Sequence, residues 1–474
     1  MPAAPARFDD AEPAGAPPSR TARARPSRWA ESIAAAVPAA ILIVGAGTFG
    51  TVAKLLLVLL AGLLALNLVR RELREPGSPV PIAWCTGALL AIAVIVPPQF
   101  SYDLWVYAMV GRIVAVHHAS PFLHAPDAFR NDHFVNLVGY KWRQVTTPYG
   151  PLFALHAAGI ALISGSHPLL YRLLFQGSAA LAIGGALRAV WRATGSTGAL
   201  ALLGLHPLIA CSLVNGGHND AIVGLGILLA VINARKERYG RAGAWVTVAL
   251  LVKVTAGLAL LPLLGWAWTR GRRRAVGRVA TAPLLVALPA ITLIPGVARS
   301  LFAARANGIS RSSIWNGAIG LLHFMTRVQR PGALLVTVAL AFVFAVAAAA
   351  AWFGRRTRDP APGVVASITA WLIFGSYVLP WYSIWALPTA ALRIRDRLTW
   401  VVALQGLAMT AVYLVPRTSL GGGGIDGGIV HIAVPAVLLA MFVWAMLPTF
   451  GRGGAAEPRE PLTANVALRA LPRP

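Results

Sequence analysis

Acid is what this sequence is short of. Its 474 residues include 16 aspartates and glutamates against 42 lysines and arginines, and charged residues of both signs make up only 12% of the chain. A soluble domain carries roughly a quarter charged residues, so an ordinary water-soluble fold is excluded. Cysteine is nearly absent too. Cys85 and Cys211 both lie in apolar runs, which leaves no disulfide framework and no zinc spacing. Neither a P-loop nor a Rossmann glycine fingerprint occurs, so no known nucleotide cradle is offered.

In place of charge there are long apolar runs. Hydrophobic residues make up 57% of the chain and the mean hydropathy is +0.67. Stretches such as 79–98, 335–352 and 429–447 are almost free of charge and long enough, at ~20 residues, to cross a ~30 Å hydrocarbon core. This is an all-α, polytopic integral membrane protein. The apolar segments fall at 30–48, 51–69, 79–98, 149–165, 168–190, 197–214, 220–234, 243–268, 277–295, 331–353, 362–379, 381–394, 398–416 and 429–448. The formal charge of +26 does not mark a nucleic-acid partner, because the basic residues form no single patch interleaved with aromatics. They sit between apolar segments, at Arg70-Arg71, Arg235-Lys236, Arg272 to Arg274, Arg355-Arg356 and Arg393 to Arg397, as the positive-inside rule requires.

That rule sets the topology. The basic, Pro/Ala/Arg-rich tail at 1–28 is expected to be disordered in the cytoplasm. It lacks a short apolar core with an A-x-A site, so the first span is retained rather than cleaved. Spans two and three then place the loop at 99–148 outside, with an apolar, aromatic-bearing stretch along the interface. The short run at 149–165 is expected to be half-inserted or re-entrant. The run at 243–268, basic at both flanks, reads as a hairpin of two short helices broken near Gly257. Roughly 12–14 crossings result, with both termini in the cytoplasm of a plasma-membrane protein. A membrane domain at 29–450 is followed by a cytoplasmic tail at 451–474, and a second outer loop lies at 296–330. The glycine run at 421–428 reads as a flexible outer loop.

Five acids fall outside: Asp103, Asp127, Asp132, Asp220 and Asp426. None lies at the middle of a span, where an ion-coupled carrier needs one. Asp103 stands in PPQFSYDLWVYAMVGR at 97–112, just after two prolines stop a span. A carboxylate in a partly dry place there is a better proton acceptor; the same residue could simply cap the helix that follows. In VNGGHNDA at 214–221, His218, Asn219 and Asp220 open a helix behind two glycines. They either cap it or form a polar cluster for an anionic or sugar ligand. Lys253 lies deep in an apolar run; it either snorkels to water or meets a lipid phosphate. Trp142, Tyr149, Trp315, Trp381, Tyr382 and Trp385 suit an interfacial belt or a sugar-stacking face. The outer Arg299, Arg305, Arg311, His323 and Arg327 contradict the charge rule, and an anionic lipid phosphate would account for them.

Taken in order, the acid after an early span, SPFLHAPDAF, TTPYGPLF, NGGHNDA, LLVKVTAGLALLPLL and YVLPWYSIWALP resemble the actinobacterial polyprenyl-phosphate-mannose-dependent mannosyltransferases of the GT-C class. The resemblance covers about 97–390. It implies a helical membrane fold with an outward-facing site. It implies a polyprenyl-phosphate sugar donor, a glycolipid or polysaccharide acceptor, and Asp103 as catalytic base. Tyr107, Tyr149, His218, Asn219, Asp220, Lys253, Arg305, Arg311, His323, Trp381 and Tyr382 are the expected substrate-binding residues. Some enzymes of that class hold a divalent cation near a D-x-D motif. This chain has none, and Asn131-Asp132-His133 needs help from elsewhere to bind a metal, so the expected site is metal-free. A flippase of lipid-linked sugars, or a glycan polymerase or ligase, is the alternative; neither needs Asp103.

Overall fold

The structure, a computed structural model, describes residues 27–269, 271–303, 359–375, 377–414 and 429–447, with Ser310, Ser313 and Val343. The two tails, Arg305, Arg311, Trp315, His323, Arg327, the glycine run at 421–428 and nearly all of 331–353 lie outside the described residues. The described residues are 78% helical, and no strand occurs among them. The main helices are α1 (Arg28–Gly45), α2 (Thr51–Arg74), α3 (Val80–Ile95), α4 (Asp103–Ala115), α5 (Pro151–Ser164), α6 (Pro168–Thr194) and α7 (Thr197–Leu205). They continue with α8 (Asp220–Arg235), α9 (Tyr239–Val252), α10 (Gly257–Thr269), α11 (Arg273–Thr292), α12 (Ala361–Phe374), α13 (Arg397–Leu414) and α14 (Val434–Met446).

Among the described residues, α1, α2, α6, α11 and α13 are long and apolar enough to cross a bilayer. A sixth arises if α7 and the π-helical turn Leu208–Val214, bent by 42° at Pro207, count as one. Most of the other described apolar runs form helices of 10–17 residues, and the run at 381–394 divides into the short turns Pro380–Trp385 and Leu387–Ala391, so the expectation of roughly 12–14 crossings includes runs that break before bilayer length. The run at 149–165 becomes α5, whose 14 residues span about 21 Å, short of the ~30 Å core, as a half-inserted piece would. The run at 243–268 splits into α9 and α10 around residues 253–256. Its two ends meet: Arg272 pairs with Glu237 at 2.6 Å and with the Tyr239 hydroxyl. Large apolar side chains face outward, among them Leu63, Trp84, Leu155 and Leu181, which inverts the pattern of a water-soluble fold and suits lipid.

The basic clusters gather at one end of the bundle. Buried Glu72, at the end of α2, pairs with Arg28 at 3.2 Å and accepts from Thr197 Oγ1 at 2.5 Å. Arg395 donates to the Leu73 carbonyl. Asp359 is bonded by Arg235 Nε at 2.8 Å and lies 3.3 Å from Arg393, which also holds Asp396. One network thus ties the start of α1 to the ends of α2 and α8 and the starts of α7, α12 and α13.

The opposite end is organised around the stop of α3. Pro97 and Pro98 end that helix, and its last carbonyls need partners. Asn215 Nδ2 supplies them for Ala93, Val96 and Pro97 at 3.1–3.2 Å, while its Oδ1 accepts from the Gln99 amide at 2.8 Å. Gln176 Nε2 adds bonds to Ala93, Val96 and Asn215 carbonyls, and Arg172 bonds Ile95. This clasp fixes the loop that delivers Asp103 against the loop that delivers His218.

Candidate active site

Asp103 opens α4, but its carboxylate caps nothing. The N-cap position is Tyr102, without a side-chain cap bond, and the local bond runs from the Asp103 amide to Ser101 Oγ. The carboxylate instead lies 4.0 Å from His218 Nδ1, with 22% of its side chain exposed. Burial pushes it up to about 6, with Lys253 partly opposing the shift and Asp220 adding to it.

His218 is fully buried. Its Nδ1 is 3.1 Å from the Tyr107 hydroxyl, and its ring stacks on Trp381 at 3.8 Å. The two glycines before it are needed for space: a Cβ on Gly216 would meet the His218 ring at 2.5 Å, and Gly217 has φ +63° with Leu104 only 2.9 Å from an added Cβ. Asn219 and Asp220 do not act as side-chain caps of α8. Asp220 Oδ1 accepts from Lys253 Nζ at 2.8 Å and from Trp385 Nε1 at 2.7 Å, so it orients the lysine rather than His218. Lys253 occupies the extended break after α9. It does not snorkel: it is buried, with its ammonium 4.0 Å from the centre of the Tyr382 ring, 5.1 Å from Trp385 and 5.6 Å from Tyr149. The Gly150 amide donates to the Val252 carbonyl, which holds Tyr149 beside that break.

Tyr107 packs edge-on against Tyr149 at 5.2 Å. Trp381 and Tyr382, for which a belt and a substrate-binding place were both open, are 2% and 8% exposed and wall the site. Asp103, Tyr107, Tyr149, His218, Asn219, Asp220, Lys253, Trp381 and Tyr382 therefore converge. Trp385, which the sequence leaves between a belt and a stacking face, is a full member. Asn215 and Gln176 were not singled out as positioning residues; Asn215 alone carried a signal, by preceding the glycine pair. His218 Nε2, both amide atoms of Asn219, Asp220 Oδ2 and Ser383 Oγ are sealed from solvent without a hydrogen-bond partner among the described residues. Buried polar atoms are rarely left so, and a ligand rich in hydroxyls would satisfy them.

Among the described residues no group of three or more His, Cys, Asp and Glu could hold a metal ion. In the Asn131-Asp132-His133 motif, Asp132 Oδ2 accepts from Arg112 Nε and lies 2.7 Å from His117 Nε2, and Oδ1 accepts from the Phe134 amide. Burial pushes the Asp132 carboxyl up, but these bonds together outweigh it and hold the group below its ordinary value.

Residues 14–270 match the family model described as the alpha-(1->6)-mannopyranosyltransferase N-terminal domain. The chain is 28% identical over 370 residues to alpha-(1->6)-mannopyranosyltransferase A of Mycobacterium tuberculosis, covering 72% of this chain and 71% of that protein. It is 26% identical over 420 residues to alpha-(1->6)-mannopyranosyltransferase B of Corynebacterium glutamicum, covering 77% and 68%. No solved structure matches it. The matched region takes in more than half of the chain and holds Asp103, Tyr107, Tyr149, His218, Asn219, Asp220 and Lys253, and the chain belongs to the alpha-(1->6)-mannopyranosyltransferase family.

Proposed function

We propose that the protein is an inverting mannosyltransferase. In this reading it moves mannose from a polyprenyl-phosphate donor to the 6-hydroxyl of a mannose-containing glycolipid or polysaccharide at the outer face of the plasma membrane. One observation carries the reading: a single part-exposed carboxylate, Asp103, at the edge of a buried box of otherwise unpaired hydroxyl-binding groups. Asp103 takes the proton from the acceptor hydroxyl as that oxygen bonds to the anomeric carbon. The bond from carbon to phosphate oxygen breaks on the opposite face, and polyprenyl phosphate leaves with one more negative charge. One base and a good leaving group suffice for inversion, unlike the paired carboxylates of hydrolases. Lys253, already held by Asp220, and His218 Nε2 are the described groups available to the growing charge. Arg305, Arg311 and His323 are proposed to assist. Holding donor and acceptor in line supplies much of the rate. The reading uses no metal.

The test is transfer from radiolabelled polyprenyl-phosphate mannose to a lipid-glycan extract by purified protein, wild type beside Asp103→Asn. Label should move only with wild type while the variant keeps its melting temperature. Full activity in the variant would remove Asp103 from the chemistry. Donor crossing liposomes without transfer would make the protein a flippase.

A further inference from the structure

The Asn131-Asp132-His133 motif, left over by the catalytic site, lines a cavity of about 710 Å³ at the far end of α4. Arg112, His117 and Phe129 also line it. Within α4, Asp103 and Arg112 are nine residues apart, about 13.5 Å along the axis, so one sugar cannot occupy both places. The spacing is fixed, because α4 is buried along most of its length and Arg112 also bonds the Gly165 carbonyl at 2.8 Å.

The lining does not suit an anion. Arg112 faces Asp132 at 2.7 Å and Arg130 faces Asp127 at 3.7 Å, so a carboxylate already stands beside each guanidinium. What remains is a neutral mixture of donors and acceptors, which is what sugar hydroxyls require. Asn131 and His133 are exposed and present such groups to solvent. His117 and Phe129 stack at 4.4 Å with 26° between their planes, so each ring keeps its outer face, of the kind that packs on the apolar face of a sugar. Resting on the function proposed above, we propose that this cavity is a second sugar subsite, holding a distal mannose of the acceptor chain while Asp103 acts at the chain's end.

The experiment uses the full-length protein in detergent with linear α(1→6)-linked mannooligosaccharides, a disaccharide and a longer chain. Wild type should use the longer acceptor about tenfold better in kcat/KM, the worth of one stacked contact, and Phe129→Ala and Asn131→Ala should each reduce that preference through KM. Saturation-transfer NMR with the longer chain reports binding without turnover. Its sugar signals should be strong with wild type and weaken in both variants, whose melting temperatures serve as the folding control. A wild type with no length preference and no saturation transfer, or variants that keep both, overturns the subsite. No transfer by any protein, with saturation transfer present in wild type and lost in Phe129→Ala, would sink the proposed reaction and leave the subsite standing.

Discussion

At the residue scale, the raised pKa of Asp103 sets a pH dependence. Its ordinary value is 3.8 and burial lifts it to about 6, so the carboxylate needed as base is mostly protonated below that pH. The transfer rate should climb as pH rises through about 6 and then level off; a flat profile from pH 5 to 8 would remove the role. The Asp220–Lys253 pair makes a different prediction. Removing one partner of a buried pair costs about 3–5 kcal/mol, so Asp220→Asn and Lys253→Met should each unfold at clearly lower temperature. The double variant should lose less than the sum. Scarcity made part of this legible: in a chain with 16 acids, Asp103 and Asp220 stand out against their apolar surroundings. The partner of Lys253 was not legible, because it lies 33 residues away across a helix hairpin. Gln176 gives no local sign of its task, since its Nε2 bonds go to backbone carbonyls on other segments.

At the element scale, α4 and α5 touch backbone to backbone. A Cβ on Gly111 would lie 2.2 Å from the Ala157 carbonyl oxygen, so Gly111→Ala must push the two helices apart and open the Tyr107–Tyr149 contact. Overpacking of this kind costs about 1–3 kcal/mol; melting should fall by that much and transfer should drop with it. An unchanged melting point would mean the helices yield freely. Hydropathy located nearly every helix because apolar runs are what a bilayer demands. It does not see where Pro207 bends a run or where Lys253 interrupts one. For the aromatics of the 380–385 turn the sequence leaves two places open. An amphipathic ring suits a water interface and a closed polar site equally well, and only packing separates the two.

At the scale of the whole molecule, inversion has a stereochemical consequence. An α-linked product requires a β-linked donor, so the protein should use β-linked polyprenyl-phosphate mannose and ignore the α anomer. Comparable rates with both would rule out single displacement. Chelation by EDTA should leave the rate unchanged if no metal takes part, and a loss restored by a divalent cation would correct that. The site is also shared unevenly along the chain. Base, histidine and lysine all come from the portion at 14–270 that matches the family model, whereas Trp381, Tyr382 and Trp385 arrive from beyond it and close over His218 and Lys253. The protein is in this sense a graft of two parts, one carrying reactivity and the other grip. A chimera that exchanges everything after residue 270 with a relative would keep the reaction and inherit a stranger's preference for what it acts upon.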